Sequence, residues 1–435
     1  MERFALSRMK EWKETENRKP LIIRGARQVG KTWIMKTFGQ QYFEKTAYVN
    51  FDNNARMKQV FEGDLDIERL VLAISAETGV SIEAENTLII FDEIQEVPKA
   101  LTSLKYFHEN APQYAIVAAG SLLGVALHQG TSFPVGKVDF LDLYPLNFRE
   151  FLCAMGEKQF VSILDSCDTR MVTVFKTKYI ERLREYYFVG GMPEVVKEFS
   201  EKKDYNRVRA IQKNLINYYQ QDFSKHAEIK LVPRLNLVWN SIPMQLAKEN
   251  KKYIYGQVRE GSRAKDFELA IQWLLDCGLI HKVQRIQKPD LPLKAYIDFD
   301  AFKLFLVDIG LLIAMTDLDA KVIIEGNKIF TEFKGSLTEQ YILQQLISDV
   351  GVIPYYYSTQ NSKGEIDFLV QGKTSVIPIE VKAEENLKAK SLKAFCEKYQ
   401  PSYAVRTSMS DYREQDWMTN IPLYAIKWIE NYVNQ

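Results

Sequence analysis

The sequence predicts an α/β fold in which a parallel sheet is followed by a helical segment, a helix-and-hairpin module and a second α/β region. Three observations carry this. Five short apolar runs, Leu21–Ile23, Ala47–Phe51, Leu88–Phe91, Tyr114–Ala119 and Val138–Leu143, alternate with helical stretches up to about Phe151, the order that a parallel sheet with covering helices requires. A glycine-bounded loop, Gly25 to Thr32, follows the first run directly. The third run ends in Asp92-Glu93 and the fourth in Gly120-Ser121, so polar groups collect at strand ends, where open α/β sheets bind ligands.

The loop reads Gly25, Ala26, Arg27, Gln28, Val29, Gly30, Lys31, Thr32, and Trp33 opens the helix-like stretch that runs to Phe38. Glycine at both ends lets the backbone curl so that successive N–H groups face inward on phosphate oxygens. Lys31 is placed to reach the β- and γ-phosphates and Thr32 to offer its hydroxyl to Mg2+, while the helix that begins there adds the positive end of its dipole. A strand before and a helix after complete the P-loop pattern. Residues 25 to 33 are therefore expected to bind a nucleoside triphosphate.

Leu88-Ile89-Ile90-Phe91 suits a strand buried on both faces, and its carboxylates would emerge beside that loop. Asp92 is the expected partner of Mg2+ together with Thr32. Glu93 is the expected base that orients the attacking water. Ser121, on the neighbouring strand end, is placed to face the γ-phosphate and report its presence; an ordinary turn or helix-cap serine would occupy the same position.

Charge offers no global signal. Across 435 residues, 57 basic against 56 acidic side chains leave +1, so any nucleic-acid affinity has to come from local patches. The length suits about three domains. Cys153, Cys167, Cys277 and Cys396 are widely spaced and form no metal-type pair, which fits reduced thiols in a cytoplasmic protein. Residues 1 to 20 mix charges throughout and lack the apolar core of a signal peptide. The longest apolar stretch, Phe302 to Met315, is interrupted by Lys303 and Asp308 and is too short to cross a bilayer, so no membrane partner is expected.

Residues from about Leu152 to Phe223 read as mostly helical, with a forced break at Gly190-Gly191-Met192-Pro193. Beyond Pro233, helices are expected over Ser241–Asn250 and Ser262–Cys277, the latter with Ser262 as N-cap and Gly278 just past its end. Strands over Ile280–Arg285 and Ala295–Asp300 would follow, joined by a loop holding Pro289 and Pro292. Short helices ending in a hairpin suggest a winged helix-turn-helix, with Arg263, Lys265, Lys282 and Arg285 as a modest basic surface for DNA. Such modules also serve as packing units within a chain.

The last segment places acids where a second site would need them. Glu339 shares a helix face with Ile342, Leu343 and Leu346, which puts a carboxylate on a buried stripe, where it needs a partner or a metal. In Gly364–Val370, Asp367 alternates with Ile366 and Phe368 and so projects from the opposite face of the strand. Glu380 and Lys382, two apart in the strand Ile377–Lys382, point the same way, although Pro378 is awkward in a central strand. Three acids and a lysine suit a second divalent ion, Mg2+ or Mn2+, held by Asp367 and Glu380, with Lys382 helping to activate water. An ion-pair cluster on a small sheet would use the same residues.

Taken together, these motifs resemble a prokaryotic AAA-type ATPase family with a C-terminal module. The likeness covers nearly the whole chain and rests on Ile23–Thr32, Phe91–Gln95, Ala119–Ser121, Tyr144–Phe151 and Gly190–Glu194. It implies an ATPase using Mg-ATP, divided as residues 1–151 (P-loop ATPase), 152–227 (helical lid), 228–300 (winged helix) and 301–435 (nuclease-like). It also implies that Gly191-Met192-Pro193 lies near the nucleotide, with Pro193 packing on the base. Many relatives have an arginine where this chain has Lys137, which keeps the charge but loses the planar fork. The last part is similar to the PD-(D/E)XK nuclease fold, whose signature falls on Asp367, Glu380 and Lys382, with Glu339 as the leading helical acid. The implied partners are ATP and ADP, DNA through the last two modules, and further copies of the chain, since AAA-type relatives often assemble.

Overall fold

The computed structural model describes residues 1–121, 133–248, 251–324, 331–359, 364–384 and 389–435. They form two compact units: a smaller one of Glu2–Tyr144 with Asp276–Leu279, and a larger one of Pro145–Leu275 with Ile280–Gln435.

In the smaller unit, β1 (Leu21–Arg24), β2 (Lys45–Asn50), β3 (Thr87–Asp92), β4 (Ala115–Ala119) and β5 (Asp139–Asp142) make a five-stranded sheet in the order β2-β3-β4-β1-β5. All four pairings are parallel. Every residue of β3 and β4 is buried, which is why these strands read as unbroken apolar runs instead of alternating ones. Helix α1 (Lys31–Tyr42) follows β1 through the glycine loop, and α2 (Pro98–Asn110), opened by proline in its first turn, follows β3. Phe51, Phe61, Phe91 and Phe107 contact one another in tilted and edge-on pairs, their ring centres 5.4 to 6.5 Å apart, and anchor the core on one face of the sheet.

The larger unit opens with helices α3 (Phe148–Ala154), α4 (Lys176–Val189), α5 (Pro193–Lys202), α6 (Tyr205–His226), α7 (Val232–Leu246) and α8 (Ala264–Asp276). Strands β6 (Ile280–Ile286) and β7 (Ile297–Leu306) come next, then α9 (Ile309–Met315) and α10 (Thr331–Gln345). Strands β8 (Tyr355–Ser358), β9 (Glu365–Gln371) and β10 (Val376–Val381), helix α11 (Lys390–Tyr399), and strands β11 (Val405–Ser408), β12 (Arg413–Gln415) and β13 (Met418–Pro422) complete it. Its eight strands form one mixed sheet in the order β12-β13-β11-β10-β9-β8-β6-β7. The segments 152–227, 228–300 and 301–435 all contribute to this unit.

Several local expectations need correction. The hairpin read as a wing is an edge of the eight-stranded sheet: β6 pairs antiparallel with β7 and parallel with β8. Its second strand does not end at Asp300, because the apolar residues Phe302, Leu304, Phe305 and Leu306 stay buried and carry the strand on. The expected helix Ser241–Asn250 starts earlier, at Val232 with a proline in its first turn, and holds Pro243 inside; Glu249 and Asn250 lie outside the described residues. Ser262 is not the cap of α8. The Asp266 carboxylate instead accepts the Arg263 N–H at 2.8 Å, an acid of the first turn serving the orphan donor just before the helix. Pro378 does sit inside a central strand; its neighbour β11 begins pairing only at Ile379.

Two sequence motifs find their cause in this packing. Asn147 and Glu150 form a reciprocal capping box at the start of α3, while Arg149 reaches Asp349 at 2.9 Å and Asp165 at 2.5 Å. At the Gly190-Gly191 break, the Gly191 N–H donates to Asp308 at 2.6 Å. A Cβ on Gly191 would stand 2.1 Å from the Leu146 carbonyl oxygen, and one on Gly190, whose φ is +74°, 2.2 Å from Asp308 Oδ1. Only glycine fits either position.

Candidate functional site

Following β1, the chain turns through Gly25 at φ +150° and Gly30 at φ +95°, with Gln28 left-handed between them at φ +66°. A Cβ on Gly25 would meet the Leu143 carbonyl oxygen at 2.1 Å, so the loop lies directly on the chain leaving β5. Arg3, not anticipated from the sequence, braces it from the other side by donating to the Val29 carbonyl at 3.0 Å and the Tyr144 carbonyl at 2.6 Å.

Lys31 is 6% exposed, and its ammonium donates to the carbonyls of Gly25 (2.9 Å) and Ala26 (2.8 Å). Burial pulls its pKa down to about 8 against the opposing pull of Glu93 and Asp92. The Thr32 hydroxyl donates to Asp92 Oδ2 at 2.7 Å, Tyr48 donates to the same oxygen at 2.9 Å, and the Glu93 N–H reaches Asp92 Oδ1 at 3.1 Å. Glu93 takes a left-handed backbone at φ +51°, a strained state for a residue with a side chain. Its carboxylate accepts from the Gln95 amide at 2.7 Å and from the Ser121 hydroxyl at 3.3 Å. Lys31, Thr32, Asp92, Glu93 and Ser121 are thus gathered at the carboxyl ends of β1, β3 and β4. Trp33 is 43% exposed at the start of α1. Lys137 is engaged with Glu109 of α2 at 2.9 Å.

Sequence reasoning misses Tyr48 and Gln95. Tyr48 pairs in register with Ile90, two residues before Asp92 on the neighbouring strand, a relation that only strand order reveals. Pro193 opens α5 in the larger unit.

The larger unit gathers the C-terminal acids and adds cations that the sequence did not single out. Glu339 on α10 and Glu380 on β10 are each 5% exposed. Lys382 lies 2.6 Å from Glu380, and the Val381 N–H donates to Asp367 at 2.7 Å. Lys251 is ion-paired with Glu339; Lys303, wholly buried on β7, is paired with Glu365 and stands 3.7 Å from Glu339. Burial and the neighbouring Glu339 and Glu380 hold the Asp367 carboxyl well above the usual range. For Glu339 burial acts upward too, but Lys251 and Lys303 outweigh it and leave it low.

No group of three or more His, Cys, Asp or Glu side chains among the described residues stands close enough to hold a metal ion. The expected second divalent ion on Asp367 and Glu380 gains no support from this grouping, in which the ammonium groups of Lys251, Lys303 and Lys382 stand beside the acids. The signal was present in Lys303, a charged residue inside an apolar run, which needs a buried partner.

Of the four basic residues expected to face DNA, Arg263 and Lys265 are exposed. Arg285 is paired with Asp298, and Lys282 stands over the Phe302 ring at 4.3 Å. No helix among the described residues is long and apolar enough to cross a membrane.

A parallel sheet whose first strand runs into a GxxxxGKT loop, beside an aspartate and a glutamate at the end of the third, defines a P-loop nucleotide-binding domain. Residues 17–152 match the family described as AAA domain. Residues 180–322 and 334–426 match two domains of unknown function, DUF8612 and DUF4143. Among solved structures, the chain is similar to the Walker-type ATPase PABY2304 of Pyrococcus abyssi, with 14% identity over 72% of this chain and 95% of that one and a TM-score of 0.44. The Aeropyrum pernix ORC1 protein in complex with DNA is similar at 13% identity, over 72% and 91%, with a TM-score of 0.27. None of the curated proteins compared with the chain matches it.

Proposed function

We propose that this chain hydrolyses Mg-ATP and that its nucleotide state governs a C-terminal module directed at DNA. One observation carries the ATPase reading: Lys31, Thr32, Asp92, Glu93 and Ser121 meet around a single curled loop at the strand ends. Backbone amides from Gly25 to Thr32 would line the phosphates, and Lys31 would leave the Gly25 and Ala26 carbonyls for the β- and γ-oxygens. The linked Thr32 hydroxyl and Asp92 carboxylate fit Mg2+, which would supply charge neutralisation across those oxygens. Glu93 would orient the attacking water and accept its proton, and Ser121 would hold the Glu93 carboxylate toward it. Pro193 is proposed to pack on the base.

The Lys31 environment makes nucleotide binding pH-dependent in a stated direction. Free protein loses the Lys31 proton above about pH 8, whereas bound triphosphate favours the ammonium, so binding takes up protons there. Nucleotide affinity should fall above about pH 8, approaching tenfold per further pH step, in titrations with a fluorescent ATP analogue. Lys31→Arg, which stays charged, should flatten the profile; an identical slope in that variant would exclude Lys31 as the cause.

For the larger unit, the proposed arrangement is a helical lid (152–227), a helix-and-hairpin module (228–300) and a nuclease-like region (301–435). The lysine-balanced acid cluster favours DNA binding without cleavage over an endonuclease. DNA binding should be salt-sensitive and weaken when Arg263 and Lys265 are both changed to alanine, with the salt slope falling by up to about two. Absence of binding at low salt would remove DNA from this reading. Cleavage with Mg2+ or Mn2+ that Lys382→Ala abolishes would restore the endonuclease.

A further inference from the structure

Strand β2 sends Ala47 and Val49 into the core of the smaller unit, and strand alternation turns Tyr48, between them, to the opposite face. There its hydroxyl donates to Asp92 Oδ2 at 2.9 Å, the oxygen that also accepts the Thr32 hydroxyl at 2.7 Å, while Asp92 Oδ1 accepts the Glu93 N–H at 3.1 Å. The Lys36 ammonium stands 3.8 Å from the centre of the Tyr48 ring. Lys36 lies one helical turn after Thr32 on α1, so the helix that carries the Thr32 hydroxyl also clamps the tyrosine. Thr32, Asp92, Tyr48 and Lys36 therefore close a ring between α1 and the strands β2 and β3. Burial and the adjacent Asp92 push the Tyr48 hydroxyl well above its ordinary value, so it stays a donor at any pH at which the protein works.

We propose that Tyr48 is a positioning residue for Mg2+: by holding Asp92 Oδ2 against the Thr32 hydroxyl, it fixes the carboxylate in the orientation through which the metal ion strengthens nucleotide binding. The inference rests on the reading of Thr32 and Asp92 as the Mg2+ site. A threonine hydroxyl has one proton and two lone pairs, so committing the proton to Asp92 leaves lone pairs for a cation. That aim holds only while Oδ2 stays where the proton points. The Thr32 hydroxyl cannot fix its own acceptor, and the Glu93 N–H holds the other oxygen. Tyr48 is the donor that reaches Oδ2 from a separate strand, with its ring under Lys36. Partners that orient a metal-binding group in this way typically change metal affinity about 10- to 100-fold.

The test compares the affinity of the full chain for a fluorescent, non-hydrolysable ATP analogue in excess Mg2+ with that in EDTA. Tyr48→Phe keeps the ring and removes only the hydroxyl. It should leave the affinity in EDTA native and lower the Mg2+-to-EDTA affinity ratio about tenfold, the lower end of that range. Asp92→Asn sets the reference, and in its background Tyr48→Phe should have no further effect on the ratio, because Tyr48 acts through Asp92. A ratio that falls in Asp92→Asn but stays native in Tyr48→Phe overturns the proposal and leaves the Mg2+ reading standing; a native ratio in Asp92→Asn removes both. Equal losses of affinity with Mg2+ and with EDTA in Tyr48→Phe would make the tyrosine a support of the fold and overturn the proposal. So would a Tyr48→Phe effect that persists undiminished in the Asp92→Asn background.

Discussion

Glu93→Gln is expected to keep ATP bound and to slow its hydrolysis about 10²- to 10⁴-fold, the range that a positioned general base contributes. The substitution preserves size and leaves Lys31, Thr32 and Asp92 in place, so the groups that grip phosphate and Mg2+ are untouched. What it removes is a carboxylate able to polarise water. The side chain is held by the Gln95 amide and the Ser121 hydroxyl, both donors, on a backbone at φ +51°. A glutamine keeps one oxygen for these donors and presents an NH2 to the other, so a small positional loss accompanies the chemical one. Single-turnover phosphate release, measured beside binding of a fluorescent ATP analogue, separates the two effects. Turnover equal to the native rate removes Glu93 from catalysis; loss of binding together with a lower melting temperature would mark the residue as a support of the loop. Ser121→Ala provides the companion measurement: a smaller loss in rate at unchanged affinity is expected of a residue that acts through Glu93.

The smaller unit was legible because its chemistry is local. Eight consecutive residues build the phosphate loop, and Asp92-Glu93 follow an apolar run whose burial on both faces leaves nothing else it could be. Legibility declined where partners come from afar. Tyr48 reaches Asp92 only because β2 lies beside β3, and Arg3 braces a loop 26 residues away. In the larger unit the acids stand out and their counterions do not: Glu339 and Asp367 are marked by periodicity, but Lys303 arrives from a strand 36 positions before Glu339 and reads in the sequence only as an interruption of an apolar stretch. The hairpin misled for a related reason. Two short strands and a proline loop look alike whether they form a free wing or the edge of a sheet, and the choice is made by β8, more than 60 residues further on. Lys303 and Asp308, the two charges that break the run Phe302–Met315, both turn out to be buried hubs.

Asp308 carries the other large expected effect. Its carboxylate caps α9 by accepting the Leu311 N–H at 3.1 Å, accepts the Gly191 N–H at 2.6 Å, and receives the Gln344 amide at 3.3 Å, all with no exposure to water. One side chain therefore ties the Gly190-Gly191 break, α9 and α10 together. Asp308→Ala leaves the Gly191 and Leu311 N–H groups without an acceptor, at about 1–3 kcal/mol for each, and weakens the tie to Gln344, which keeps the Tyr186 hydroxyl, so a destabilisation of the larger unit by about 3–5 kcal/mol is expected. Asp308→Asn should be milder, since its carbonyl oxygen still serves some donors. The same site predicts a pH dependence. Burial, only partly offset by the donors, raises the carboxyl from 3.8 to about 6. A raised folded-state value means that the folded protein binds the proton more tightly. The stabilisation is complete below about pH 4 and is lost as pH climbs to about 6, amounting to about 3 kcal/mol across that window. The amide introduced by Asp308→Asn does not titrate, so the stability difference between that variant and the native chain should shift in favour of the native chain as pH falls from 7 to 4. Because a two-unit protein need not unfold in one step, hydrogen exchange at the Gly191 and Leu311 amides is the measurement of choice. Equal protection in native and Asp308→Ala protein, or a difference between native and Asp308→Asn protein that stays flat between pH 4 and 7, would show that the carboxylate does not hold this junction.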